Sequence, residues 1–166
     1  PMQPYVHLHV HTQYSVLDGQ AAIPALVDKA LADGMKAMAI TDHGNMMGIK
    51  EFANYVNKVK GKAKGALKAA EERLTALADG TFKPEAGTPE AEMSHDELVA
   101  AAQKAVAKNQ AVVDFMPIYG CEMYVARRGD KTLHEIKADQ SGWHLVVLAK
   151  NSTGYHNLVK LVSRAW

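Results

Sequence analysis

Tyr5-Val6-His7-Leu8-His9-Val10-His11-Thr12 and, further along, Thr41-Asp42-His43-Gly44 are the two stretches on which the fold turns. The first alternates strictly. It predicts a strand over 5–11 with Val6, Leu8 and Val10 on one side and His7, His9 and His11 on the other. A Gly19-containing turn follows, and then Ile23, Leu26, Val27, Ala30 and Leu31 recur at helical spacing. Pro24 suits the first turn of that helix and Gly34 its stop. Lys36 to Ile40 reads as a short apolar strand, which puts Thr41 to Gly44 at the strand's end. The product is a β-α-β unit, which implies parallel strands and right-handed crossovers. In barrels built from such units the functional groups gather at the C-terminal strand ends.

Beyond Met46 a helical pattern runs through Phe52, Tyr55 and Val56 and is expected to dissolve in the lysine-rich stretch from Lys58. Residues 60–112 are rich in Ala, Lys and Glu and read as a peripheral helical insertion, with helices near 66–78 and 97–108 around a Gly80 to Pro89 loop. Ser94 and Glu97 have the spacing of a capping box. The lysines Lys58, Lys60, Lys62, Lys64 and Lys68 could touch phosphates, but a solvated face is the favoured reading. Phe115 to Val125 is expected to form a strand pair, and Leu145 to Ala149 a buried parallel strand. Between them Arg127 to Gly142 is a polar loop. A last helix carries Leu158, Leu161 and Val162, and no internal repeat is visible.

The 166 residues, 48% hydrophobic and 22% charged, suffice for one domain with a real core. With 19 Lys plus Arg against 18 Asp plus Glu the formal charge is +1, so any contact with DNA is local rather than driven by a global field. The one cysteine, Cys121, excludes an internal disulfide and reads as a small buried strand residue. No leader and no apolar run of about 18 residues is visible, so a soluble cytoplasmic protein is expected.

Eight histidines are unusual, and four of them, His7, His9, His11 and His43, cluster near the start of the chain. Histidines two apart on a strand have Cα atoms about 6.6 Å apart and project to one side, so His9 and His11 can share an ion. Asp42-His43 and Asp18 fall on the same rim, and Glu122 and His144 lie on later strands where an unpaired polar group is costly to bury. Mixed imidazole and carboxylate ligation suits Zn, Mn or Fe. Such ions polarise phosphate oxygens and lower the pKa of a bound water, which points to phosphoester hydrolysis. Neither a Gly-rich phosphate loop nor a nucleophile elbow is present, so nucleoside triphosphate hydrolysis and acyl transfer lack support.

These residues, His7-Leu-His-Val-His-Thr12 and Thr41-Asp-His-Gly44, resemble the first two motifs of the PHP (polymerase and histidinol phosphatase) superfamily. Tyr14-Ser-Val-Leu-Asp-Gly19, Gly120-Cys-Glu-Met-Tyr-Val-Ala126 and His144-Leu-Val-Val-Leu-Ala-Lys-Asn151, followed by Gly154-Tyr-His-Asn-Leu-Val-Lys-Leu161, are similar to the branch found in bacterial replicative polymerases, the DNA polymerase III alpha subunits. The likeness spares 60–112. It implies an α/β fold, a partial and distorted (β/α)7 barrel holding up to three divalent metal ions. The implied ligands are His9, His11, Asp18, His43, Glu122 and His144, with His7 and Asp42 as supporting groups around them. His95, His134 and His156 match no motif and are expected to face solvent.

The resemblance further implies that residues 1–166 are an incomplete PHP domain. Later strands would supply more His and Asp ligands, and the polymerase domains would lie outside this chain. The metal cluster is then expected to be incomplete, the fragment alone inactive, and its cut barrel edge covered in an oligomer. Three functions are carried forward. The first is a metal-dependent phosphoesterase, with 3′-5′ proofreading exonuclease activity, in a DNA-directed DNA polymerase that meets DNA and other replisome subunits. The second is a non-catalytic scaffold that docks a separate proofreading exonuclease. The third is a stand-alone phosphatase of the histidinol phosphate type, against which the Tyr-Ser-Val-Leu-Asp-Gly string and the Ala-Lys-Asn segment argue. None involves a membrane.

Overall fold

The structure is a computed structural model and describes residues 5–165. The fold is mixed α/β. Helices α1 (Ile23–Ala32), α2 (Ile49–Ala78), α3 (His95–Asp114) and α4 (Ser152–Ala165) accompany strands β1 (Ala37–Ile40), β2 (Met116–Val125) and β3 (Trp143–Leu148). The chain divides into two compact units, one running to Val56 and resuming at Met116, the other spanning Asn57–Phe115.

In the first unit the sheet order is β1-β2-β3. Strand β1 is short and apolar, and all four residues are buried. It lies parallel to β2, with Ala37 opposite Met116 and Ile40 opposite Tyr119. Helix α1 packs against β1 and α4 against β2. Helix α1 begins with a proline in its first turn, buries Ile23, Val27 and Ala30, and is followed by Gly34 at φ 72°, a conformation only glycine adopts without strain. Ile40, Phe52, Cys121 and Leu158 are other fully buried side chains of this unit.

Four expectations need correction. Residues 5–11 do not form a full strand: His7 makes an isolated parallel bridge to Met38. Ala39 N–H donates to the His7 carbonyl and Thr41 N–H to that of Val10, so three residues on one side match two on the other. This one-residue slip is a bulge, and it breaks the alternation that the sequence displays. Leu8 is accordingly exposed. Second, Phe115 to Val125 is one strand rather than a pair. β3 joins β2 from Gly120 onward, where a Cβ would lie 2.7 Å from Leu148 Cδ2 and 2.9 Å from Thr41 Cγ2.

Third, β3 is antiparallel to β2 and only partly buried. The 126–142 connection contains just a short 3₁₀ turn at Lys137–Gln140, and a return without a crossover helix favours the antiparallel arrangement. Fourth, α2 does not dissolve at the lysines but continues unbroken to Ala78. Gly61 and Gly65 each cost about 1 kcal/mol relative to alanine, which the surrounding Ala and Lys residues offset.

The Asn57–Phe115 unit is an α2–α3 pair with its own small core of Leu77, Leu98 and Ala102, bordered by Leu74, Phe82, Met93 and Val99. Ser94 and Glu97 form the reciprocal capping box at the start of α3. Arg73 makes a two-pronged contact with Glu90 at 2.8 Å on each arm and lies over the Phe82 ring. Among the described residues no helix is long and apolar enough to cross a membrane.

The two kinds of glycine separate in a stability measurement. Gly120→Ala should lower the unfolding free energy by about 1–3 kcal/mol through overpacking, whereas Gly61→Ala, in open space on a helix, should raise it by about 0.5–1 kcal/mol; urea unfolding followed by circular dichroism reads both.

Candidate metal centre

The site begins with backbone pairing. Past Ile40 the chain continues alongside β2: Glu122 N–H donates to the Asp42 carbonyl at 3.1 Å, Gly44 N–H donates to the Glu122 carbonyl at 2.8 Å, and His43 and Glu122 form an isolated parallel bridge. Across β2 on the other side, Tyr124 stands opposite His144 and Glu122 opposite Val146. Alternation along a strand puts Glu122 and Tyr124 on one face, and cross-strand pairing adds His144 to it.

Glu122 is the hub. Its side chain is 5% exposed. His9 Nε2 lies 2.7 Å and His11 Nε2 2.5 Å from its Oε2, while His144 Nδ1 lies 2.8 Å from its Oε1. The ring nitrogens of His9 and His11 are 3.3 Å apart. Burial pushes the Glu122 carboxyl upward, but the hydrogen bonds from His9, His11 and His144, with the charge of His9, outweigh it and hold the group down at about 2. It is a carboxylate at any physiological pH.

Asp18 arrives on the Gln13–Gln20 loop. That loop closes through Gly19, whose Cβ would lie 2.0 Å from the Thr12 carbonyl oxygen, so no side chain fits there. Asp18 Oδ2 is 2.5 Å from His43 Nδ1 and 3.7 Å from His11 Nδ1. With its Nδ1–H given to Asp18, the other nitrogen of His43 presents a lone pair, and Nε2 is buried with no hydrogen-bond partner among the described residues. A buried acceptor left in this state calls for an electrophile.

Three groups emerge, His9 with His11 and Glu122, His11 with Asp18 and His43, and His43 with Glu122 and His144. In each, one ligand atom per residue lies within 4.8 Å of the others. His11, His43 and Glu122 each serve two groups, so the six residues form one continuous cluster. The donors are imidazole and carboxylate, the set that divalent Zn, Mn and Fe accept, and the orphaned His43 nitrogen fits such an ion.

The two supporting residues stand elsewhere. His7 packs edge-on against Tyr5 at 4.7 Å and lines a cleft with Val10, Leu26 and Met38, because the bulge after it takes it out of phase with His9 and His11. Asp42 does not touch the His43 ring. It is 2% exposed and accepts from the Thr12 N–H at 2.7 Å, the Thr12 hydroxyl and the Ser15 hydroxyl. Ser15 Oγ in turn accepts from His43 N–H at 2.9 Å, so Asp42 fixes the loop and, through Ser15, the backbone of His43.

Thr12, Ser15, Asn45 and Tyr124 are members of this site that sequence reasoning missed. Asn45 donates to the carbonyls of Tyr14 and His43 at 3.1 Å each. Tyr124 had a signal, since a residue two past Glu122 on a strand shares its face. Ser15 and Asn45 had none, because hydroxyl and amide roles in loops depend on the loop path. Cys121, on the opposite face, is buried, and burial raises its thiol to about 11, which keeps it inert. His95, His134 and His156 are exposed.

A family model described as "PHP domain" matches residues 7–166. The chain is similar to the DNA polymerase III subunit alpha of Treponema pallidum, 33% identical over 164 residues, or 98% of this chain and 9% of that protein. The Saccharopolyspora erythraea DNA polymerase III subunit alpha is 34% identical over 165 residues, 99% of this chain and 11% of its own length. That of Borreliella burgdorferi is 30% identical over 159 residues, covering 96% and 9%. The chain thus spans about a tenth of the length of these curated relatives.

The contrast between the two aspartates can be measured. Asp42→Ala should lower the unfolding free energy by about 3 kcal/mol, because buried donors lose their acceptor, while Asp18→Ala, at a half-exposed position, should cost about 1 kcal/mol or less in chemical denaturation.

Proposed function

The chain belongs to the PHP domain family, and from that premise we propose that it is the PHP domain of a bacterial replicative DNA-directed DNA polymerase, a metal-dependent phosphoesterase with 3′-5′ proofreading exonuclease activity. The observation that carries this reading is the sharing of His11, His43 and Glu122 among three groups of candidate ligands, together with a His43 Nε2 that is buried and without a partner among the described residues. His9, His11, Asp18, His43, Glu122 and His144 would hold the ions. Divalent ions held so close together polarise phosphate oxygens and make a bound water a nucleophile at neutral pH.

The protein's own part is preorganisation. Glu122 anchors three imidazoles, the most distant of them 113 residues away in sequence. Asp18 selects the His43 tautomer, and Asp42 with Ser15 sets the height of His43 above the sheet. Exposure differs across the cluster: His9 and His144 are about half exposed, whereas Glu122 is buried, so a substrate phosphate approaches from the His9 and His144 side. In this reading the three strands and the 5–12 segment are part of a distorted (β/α)7 barrel, and the α2–α3 unit is an insertion into it. DNA and other replisome subunits are the partners of the parent protein, in the cytoplasm.

Tests are direct in the full-length protein. The wild type should contain divalent metal, and His9→Ala with His11→Ala should remove most of it by elemental analysis. With Mn²⁺ the wild type should shorten single-stranded DNA from its 3′ end, and Glu122→Ala should reduce that rate at least about a hundredfold. Undiminished metal in the double variant sinks the ligand assignment. Absence of nuclease activity under every divalent metal, with tight binding of a separate exonuclease, replaces the reading with that of a docking scaffold.

A further inference from the structure

Tyr124 is half-exposed, at 53%. Its ring is not loose. It stacks on the His43 imidazole with centroids 4.6 Å apart and planes 17° off parallel, and meets the His144 ring edge-on at 5.0 Å. The chain makes room for it with glycines. A Cβ on Gly142 would lie 2.9 Å from the Tyr124 Cβ, and one on Gly44 would touch its ring at 3.5 Å. Among the described residues its hydroxyl has no hydrogen-bond partner. One ring face is thus committed to His43, and the exposed remainder is held rigidly beside two of the cluster's imidazoles.

The loop that brings Asp18 to His43 presents Val16 and Leu17, exposed at 86% and 97%. Aromatic and apolar surface therefore flanks a cluster suited to anions. A ligand that matches both halves is amphipathic, with a phosphate for the cluster and a flat apolar ring for the tyrosine. A bare phosphate or a sugar phosphate would leave the ring unused.

We propose that Tyr124 is a stacking platform for the nucleobase adjoining the phosphate held at the cluster, and that it makes the site selective for base-bearing nucleotides in single-stranded nucleic acid. The inference rests on the phosphoesterase reading for its reaction, but not for its binding. Stacking of a base on an aromatic side chain is sequence-tolerant, as proofreading of any terminus requires, and its loss weakens binding by about tenfold or more.

The test compares two single-stranded oligodeoxynucleotides, one ending in an ordinary 3′ thymidine and one in a 3′ tetrahydrofuran abasic residue, on the full-length protein. Anisotropy with Ca²⁺ gives binding, and hydrolysis with Mn²⁺ gives KM and kcat separately. The wild type should prefer the base-bearing end by about tenfold in Kd and KM. Tyr124→Ala should abolish that preference, and Tyr124→Phe, which keeps the ring face, should retain it. Elemental analysis checks that the metal content of each variant is that of the wild type; where Tyr124→Ala loses metal, Tyr124→Leu takes its place. An equal preference in wild type and Tyr124→Ala overturns the proposal, as does its loss in Tyr124→Phe, which would assign the effect to the hydroxyl. A wild type that hydrolyses neither oligonucleotide refutes the phosphoesterase reading, and the anisotropy comparison then still decides the role of the ring.

Discussion

A carboxylate sealed from water needs donors on nearly every side, and Glu122 has three imidazoles around a side chain that is 5% exposed. Removal of its solvation would otherwise be prohibitive. This requirement ties distant parts of the chain together. His9 and His11 come from the segment beside β1 and His144 from β3, so the Glu122 carboxylate is satisfied only when both sides of β2 have assembled. Among the described residues the same arrangement leaves His43 Nε2 buried without a partner. That nitrogen is the point at which an electrophile would complete the site.

Most of what places this cluster was legible in the sequence. Helix α1, with Pro24 inside and Gly34 beyond, and β1, with its run of apolar residues, follow from strong local signals that tertiary packing does not oppose. The proximity of His9, His11, Asp18, His43, Glu122 and His144 was expected from convergence at parallel strand ends, but it arises differently, with Glu122 inside β2 and His144 on the antiparallel β3. What was not legible depended on single hydrogen bonds. The bulge between His7 and Val10 comes from which carbonyl meets Thr41 N–H, and nothing in the alternation of Val and His announces it. Its effect is to separate His7 from the two histidines that follow. The route by which Asp42 supports His43 was hidden for a similar reason: successive residues of an extended chain point to opposite sides, so the support runs through the backbone rather than the ring. Asp42 thus reaches Thr12 and Ser15 instead.

The strand errors have a common cause. Apolar runs such as Leu145 to Leu148 carry no mark of direction, and the antiparallel return of β3 is fixed by the length and content of the 126–142 connection. Likewise the apolar helical pattern fades in the lysine-rich stretch from Lys58, where Gly61 and Gly65 also sit, yet the helix continues. Helix formation is cooperative, and two isolated glycines do not stop a helix that Phe52 and Val56 anchor at one end and Leu77 at the other.

The α2–α3 unit raises the question of why a long excursion between His43 and Glu122 leaves the cluster assembled. The entropy of closing a loop grows only with the logarithm of its length, about 0.6 kcal/mol for each doubling, so inserting a segment between paired strands costs little once the ends are fixed. The ends here are fixed by the Met116 N–H bond to the Lys36 carbonyl and by the parallel register from Ala37 to Ile40. The excursion also supplies its own stabilisation through Leu77, Leu98, the capping box and the Arg73–Glu90 pair. All six residues of the cluster lie in the other unit. Selection can therefore lengthen, shorten or recharge the helical pair while the register of β1 against β2, and with it the meeting of His43 and Glu122, stays the same.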